Sequence, residues 1–132
     1  MTPTSSRLTG LKVLLVEDAA DIRDVFALLL EGEGASVTAV GTGREAIERA
    51  SRETFDVVLT DLGLPDVPGD VIIAHLAATS SRRPWIVVVT GYDGPFVRRA
   101  REAGADVVLT KPVTWSVLLD RLQPVPAGQL AA

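Results

Sequence analysis

Asp61 closes the apolar run Val57-Val58-Leu59-Thr60, and Gly63 and Pro65 follow it closely. A strand in the middle of a sheet has no packing use for a carboxylate at its tip, because an unpaired buried charge is strongly unfavourable. Other apolar runs end in similar chemistry: KVLLV at 12–16 runs into Glu17 and Asp18, WIVVVT at 85–90 ends in Thr90, and DVVL at 106–109 is soon followed by Lys111-Pro112. Each residue alone has a plain structural use. Asp18 suits the N-cap of a following helix, with Asp21 three residues on as its partner; Thr90 is a good strand former, and Lys111 a solvated loop residue. Taken together they carry more. Three carboxylates in one cleft repel one another unless a cation intervenes. A hard divalent ion, most simply Mg²⁺, accepts oxygen ligands and leaves room for a phosphoryl oxygen. With a metal, an ammonium and a hydroxyl around it, a carboxylate can attack phosphorus and form an acyl phosphate. Asp61 is the candidate nucleophile, since the turn at Leu64-Pro65 leaves its face open.

The elements that must bring these residues together are legible as alternating patterns. Apolar runs of strand length lie at 12–16, 36–40, 56–60, 85–90 and 106–109. Between them, helical spacing groups Ile22, Val25, Phe26, Leu29 and Leu30 over 19–31, Ala46, Ile47 and Ala50 over 43–53, and Val71, Ile72 and His75 or Leu76 over 69–78. The pattern recurs with Phe96, Val97, Ala100 and Ala103 over 95–103, and with Trp115, Leu118, Leu119 and Leu122 over 114–122. Strands apolar on both faces that alternate with helices predict a doubly wound α/β domain with a five-stranded parallel sheet. Right-handed crossovers place every strand's carboxyl end on one edge, where ligands bind. Glu17, Asp18, Asp61, Thr90 and Lys111 all follow or end strands, so all are predicted at that edge.

Composition narrows the alternatives. A chain of 132 residues suits one domain, predicted over 11–123 between a flexible leader, 1–10, and a flexible tail, 124–132. The absence of cysteine excludes disulfides and thiolate metal sites, and zinc lacks its usual ligands. A net charge of -4 argues against a nucleic-acid footprint. No apolar stretch has the length of a membrane span, and the start lacks a secretory apolar region, which gives the expectation of a cytoplasmic protein.

The chain resembles the receiver domains of two-component response regulators. VLLVEDAADIR, LTDLGLPDVPGD, VVVTGY and AGADVVLTKP carry the resemblance, in order and on the expected strand ends. It implies a flavodoxin-like fold with strand order 2-1-3-4-5, and a phosphoacceptor role in which Asp61 takes a phosphoryl group from a phosphohistidine on a sensor histidine kinase or histidine phosphotransfer protein. Glu17, Asp18, Asp61 and the backbone carbonyl of Gly63 would hold Mg²⁺. Lys111 would pair with the phosphoryl oxygens, the Lys111-Pro112 bond would be cis, and Thr90 would couple the chemistry to an output surface on helix four, strand five and helix five. The segment LTGLKVLLVED resembles the join that precedes receivers of hybrid kinases. Because no DNA-binding module and no apolar span are read in the sequence, the expectation is no direct DNA binding by this chain and no membrane contact.

Two features depart from the pattern. Val108 stands where the family often has an aromatic residue, with Tyr92 a partial substitute, and the stretch after residue 123 is too short to fold alone as an output domain, so a stand-alone receiver, a receiver within a larger assembly and a piece of a longer protein all stay open as expectations. Rival readings remain. GTGREA at 41–46 matches the dinucleotide fingerprint G-x-G-x-x-A, with Asp61 about twenty residues on; the same glycines and Thr42 also suit a turn and a helix cap. A receiver-like module that binds partners without phosphotransfer is a third reading. Arg98, Arg99 and Arg101 suggest contact with an acidic partner or a second copy.

Overall fold

The computed structural model describes residues 6–61, 63–79, 82–91 and 94–124. Five strands, β1 (Lys12–Val16), β2 (Ser36–Val40), β3 (Val57–Thr60), β4 (Trp85–Thr90) and β5 (Val107–Thr110), alternate with five helices. These are α1 (Ala20–Gly32), α2 (Gly43–Arg52), α3 (Gly69–Thr79), α4 (Pro95–Ala103) and α5 (Trp115–Leu122). All strands pair in parallel in the order β2-β1-β3-β4-β5. The fold is therefore the doubly wound one that the sequence predicts.

Alternation along each strand divides the core in two. Val13, Leu15, Val57, Leu59, Val87 and Val89 face one side and pack with Leu30 of α1 and with Leu118, Leu119 and Leu122 of α5. Leu14, Val16, Val58, Ile86 and Val88 face the other and pack with Ala46 of α2, Ile72, Ile73 and Leu76 of α3, and Ala100 of α4. All four residues of β3 are buried, which fixes the strand that delivers Asp61.

The compact unit begins earlier than residue 11. Leu8 is fully buried within the α1–α5 side of the core, its N–H donates to the Glu33 carbonyl at 2.9 Å, and Arg7 pairs with Asp120 of α5. Residues 6–10 thus form a turn that closes the base of that layer, in place of the loose leader expected from their small and polar composition. The tail from residue 125 onward lies outside the described residues.

The α1 surface also differs from the reading of its periodicity. Leu30 is buried and Phe26 packs against the core, but Ile22, Val25 and Leu29 are 44%, 56% and 39% exposed. The apolar arc of this helix is wider than the strip of sheet available to cover it. In α3, Leu76 fills the core position and His75 is exposed. No helix among the described residues is long and apolar enough to cross a membrane.

Candidate functional site

The register of the sheet sets the height at which each site residue emerges. Val16 of β1 lies opposite Thr60 of β3, so Glu17 and Asp61 leave the sheet side by side at its carboxyl edge. Thr90 lies opposite Thr110, and the Lys111 N–H donates to the Thr90 carbonyl at 2.7 Å, which carries the lysine to the same edge. The Lys111-Pro112 bond is cis, as the resemblance implies.

Both oxygens of Asp61 are engaged. Oδ2 accepts from Lys111 Nζ at 2.7 Å, and Oδ1 accepts from the Gly63 N–H at 2.9 Å. The first contact is an ion pair whose carboxylate side chain is 18% exposed. The Asp61 hydrogen bond holds the Lys111 ammonium above its ordinary pKa, aided by the charges of Asp61, Glu17 and Asp18 and opposed by partial burial. The lysine is therefore firmly cationic beside Asp61.

Glu17 is nearly buried, and its Oε2 accepts from the Ala19 N–H at 3.2 Å. Burial is the main reason its pKa is raised; the neighbouring Asp18 and Asp61 add to the effect, while the Ala19 N–H and Lys111 oppose it. Asp18 is exposed and does not cap α1: the N-cap is Ala19, with no side-chain bond. That removes the capping explanation for Asp18. Arg23 Nη1 donates to the Glu17 carbonyl at 2.8 Å. A Cβ at Gly41 would lie 2.8 Å from this same Nη1, so the glycine makes room for the guanidinium. Nothing in the spacing of its helix signals this role of Arg23, since no residue type points to a carbonyl six residues back.

Among the described residues, no three acidic or histidine side chains form a ready metal cage. In this arrangement Asp61 is held by Lys111, which partly relieves the repulsion that a cation would otherwise have to balance. The donor set still suits a hard ion. It consists of oxygens only, and Glu17 is poorly solvated and crowded by two other acids. An ion such as Mg²⁺ keeps several waters and needs few protein ligands, so it does not require a preformed cage.

Thr90 is fully buried at the end of β4. Val108 is partly buried and packs against the α2–α4 side of the core. Tyr92 lies outside the described residues.

The dinucleotide reading loses its anion site. Thr42 caps α2 by accepting from the Glu45 N–H at 3.1 Å. The amides of Gly43 and Arg44, which such a site would turn towards a phosphate, donate instead to Asp66 at 2.9 and 3.0 Å. In the sequence Asp66 reads as an ordinary turn acid.

The parallel sheet thus brings an acid, a lysine and a strand-end threonine to one carboxyl edge. Residues 13–123 match the family model of the response regulator receiver domain, and the chain belongs to that family. It is 37% identical over 114 residues to the sensory transduction protein RegX3 of Mycolicibacterium smegmatis, covering 86% of this chain and 49% of that protein. The chain thus spans about half the length of the curated relatives it matches. Among solved structures it is similar to a response regulator from Burkholderia pseudomallei with a phosphorylated aspartic acid and a calcium ion. That likeness has a TM-score of 0.78 and 29% identity, over 91% of this chain and 71% of that one. It is also similar to the receiver domain of a sensor histidine kinase from Pseudomonas aeruginosa with magnesium in its active-site cleft, with a TM-score of 0.75 and 28% identity, over 86% of this chain and 98% of that one.

Proposed function

We propose that Asp61 is the phosphoacceptor of this receiver domain, taking a phosphoryl group from a phosphohistidine on a sensor histidine kinase or histidine phosphotransfer protein. The observation that carries this reading is the clasp on Asp61, between Lys111 Nζ and the Gly63 N–H, beside the nearly buried Glu17. In the reaction, an Asp61 carboxylate oxygen attacks phosphorus. The phosphorus–nitrogen bond breaks, and the imidazole leaves and takes up a proton. Lys111 shifts from carboxylate to phosphoryl oxygen, keeping its charge partner throughout. Glu17, Asp18, Asp61 and the Gly63 carbonyl are the residues that would hold Mg²⁺, which when bound neutralises charge on the transferring group. On this reading Thr90, buried at the end of β4, offers its hydroxyl to the phosphoryl group.

Surfaces beside the site suit partners. A cavity of about 210 Å³ reaches Asp61 and Lys111 and is lined on its apolar side by Leu15, Ile22, Phe26 and Leu59. It is continuous with the exposed flank of α1, where a phosphohistidine-bearing partner would rest an apolar side chain beside the acceptor. Downstream contact is assigned to α4, β5 and α5, where Arg98, Arg99 and Arg101 are exposed. Charge reversal at Arg98 and Arg101 is expected to weaken association with an acidic partner, and an unchanged affinity would remove that surface from the account. The proposed setting is the cytoplasm.

The test is intact mass after incubation with acetyl phosphate, with and without Mg²⁺, on the wild type and Asp61→Asn. The expected result is one phosphoryl group gained with Mg²⁺ and none in the variant. No adduct under conditions that label a known receiver would favour a binding-only module.

A further inference from the structure

The segment that carries Gly63 is fastened at a point the reaction itself does not use. Asp66 accepts from the Gly43 N–H through Oδ1 and from the Arg44 N–H through Oδ2, so one carboxylate spans the first two amides of α2. Packing locks the same junction. A Cβ on Gly43 would lie 2.6 Å from Ile72 Cδ1 and 3.0 Å from Val67 Cβ, so the loop, α2 and α3 meet there without spare room. Leu64 is buried on the same side of the sheet. At its other end, the loop returns to the nucleophile through the Gly63 N–H on Asp61 Oδ1.

We infer that Asp66 is a positioning residue for the phosphoacceptor site: by tying the loop after β3 to the amino end of α2, it holds Gly63 against Asp61 and fixes the Gly63 carbonyl as a metal ligand. The inference rests on the proposed function above. The physical reason is preorganisation. A loop glycine left free would lose conformational freedom each time it accepted a metal, whereas a tethered one has already lost it. The bond is charge-assisted and bidentate, which makes it stiffer than an ordinary turn contact. The two amides also hold the Asp66 carboxyl below its ordinary pKa, in keeping with a carboxylate that stays ionised in place. Asp66 touches no reacting atom and acts only through the loop.

Thr42 provides the control, because it caps the same helix without touching the loop. The experiment compares wild type, Asp66→Ala, Asp66→Asn and Thr42→Ala by Mg²⁺ titration calorimetry, by amide hydrogen exchange at Gly63, and by the rate of labelling with acetyl phosphate at limiting Mg²⁺. Asp66→Ala is expected to weaken Mg²⁺ binding about tenfold, the scale of losing an outer support to a metal ligand, with faster exchange at Gly63 and slower labelling. Asp66→Asn keeps an oxygen for one amide but turns its NH₂ towards the other donor, so an intermediate loss of about threefold is expected. Thr42→Ala should leave Mg²⁺ affinity and Gly63 exchange unchanged. If Asp66→Ala matches Thr42→Ala in both, Asp66 is only a helix cap and the inference is overturned. Should Asp66→Ala not fold, Asp66→Asn decides: wild-type affinity and exchange in that variant overturn it equally. A wild-type protein that takes up neither Mg²⁺ nor phosphate refutes the functional reading instead, while exchange at Gly63 still reports on the tether.

Discussion

Asp61→Asn removes one charge and keeps the shape of the side chain, so its effect on stability is set by two opposed interactions. Lys111 Nζ lies 2.7 Å from Asp61 Oδ2. Unit charges at that separation attract by about 1.5 kcal/mol in bulk water. The lysine side chain is 48% exposed, however, and ordering it has an entropic cost, which reduces the net worth of the pair to about 0–1 kcal/mol. Against this stands the repulsion between Asp61 and Glu17, which adds to the effect of burial in raising the Glu17 pKa. Relief of that repulsion is also worth about 1 kcal/mol. The two nearly cancel. Urea unfolding at neutral pH without divalent ions is expected to place Asp61→Asn within about 1 kcal/mol of the wild type. Adding Lys111→Met to that variant should reveal a coupling of about 1 kcal/mol or less. A loss of about 3 kcal/mol or more on Asp61→Asn would refute this reasoning, since it would mark the carboxylate as part of a buried structural pair.

Leu8→Ala should cost about 2–5 kcal/mol in urea unfolding, the range for emptying a buried leucine site; a cost below about 1 kcal/mol would show that the 6–10 turn does not close the core. Gly43→Ala should destabilise by about 1–3 kcal/mol through overpacking against Ile72 and Val67, and a neutral result would mean the junction has room. The Asp66 carboxyl is held below its ordinary value of 3.8, so its contribution to stability is full above that pH and is lost as pH falls through the lower folded-state value. The stability gap between wild type and Asp66→Asn is therefore expected to be constant near neutral pH and to close in acid below 3.8. A gap that widens on acidification would contradict this.

Much of the molecule was legible because its signals are local. Apolar β-branched runs set the five strands to within a residue, and the acids, threonine and lysine that follow them had to share an edge once the sheet was parallel. Pair geometry was less legible. The sequence suggests three carboxylates drawn together, but Lys111 reaches Asp61 from 50 residues away and takes one of its oxygens. Asp66 and Arg23 were missed because their partners are backbone groups, which leave no mark of residue type. Leu8 was missed because one apolar residue in a polar stretch has no periodicity to announce it. On α1 the error ran the other way. Helical spacing grouped Ile22, Val25 and Leu29 with the core residues, but spacing cannot say how wide a strip the sheet will cover. The GTGREA match shows why a fingerprint needs its surroundings, since the helix amides it points to are already filled by Asp66.

The central claim is that Asp61 itself becomes the acyl phosphate. The most direct measurement is to label the protein from a phosphorylated histidine phosphotransfer protein in Mg²⁺, reduce the product with borohydride, and locate the modified residue by peptide mass spectrometry. Reduction of an aspartyl phosphate converts that residue to homoserine, and the account predicts homoserine at position 61 alone, dependent on Mg²⁺ and strongly diminished in Lys111→Met. Homoserine at Asp18 or any other aspartate, 2-amino-5-hydroxypentanoic acid at Glu17 or any other glutamate, or phosphate retained on His75, would contradict it.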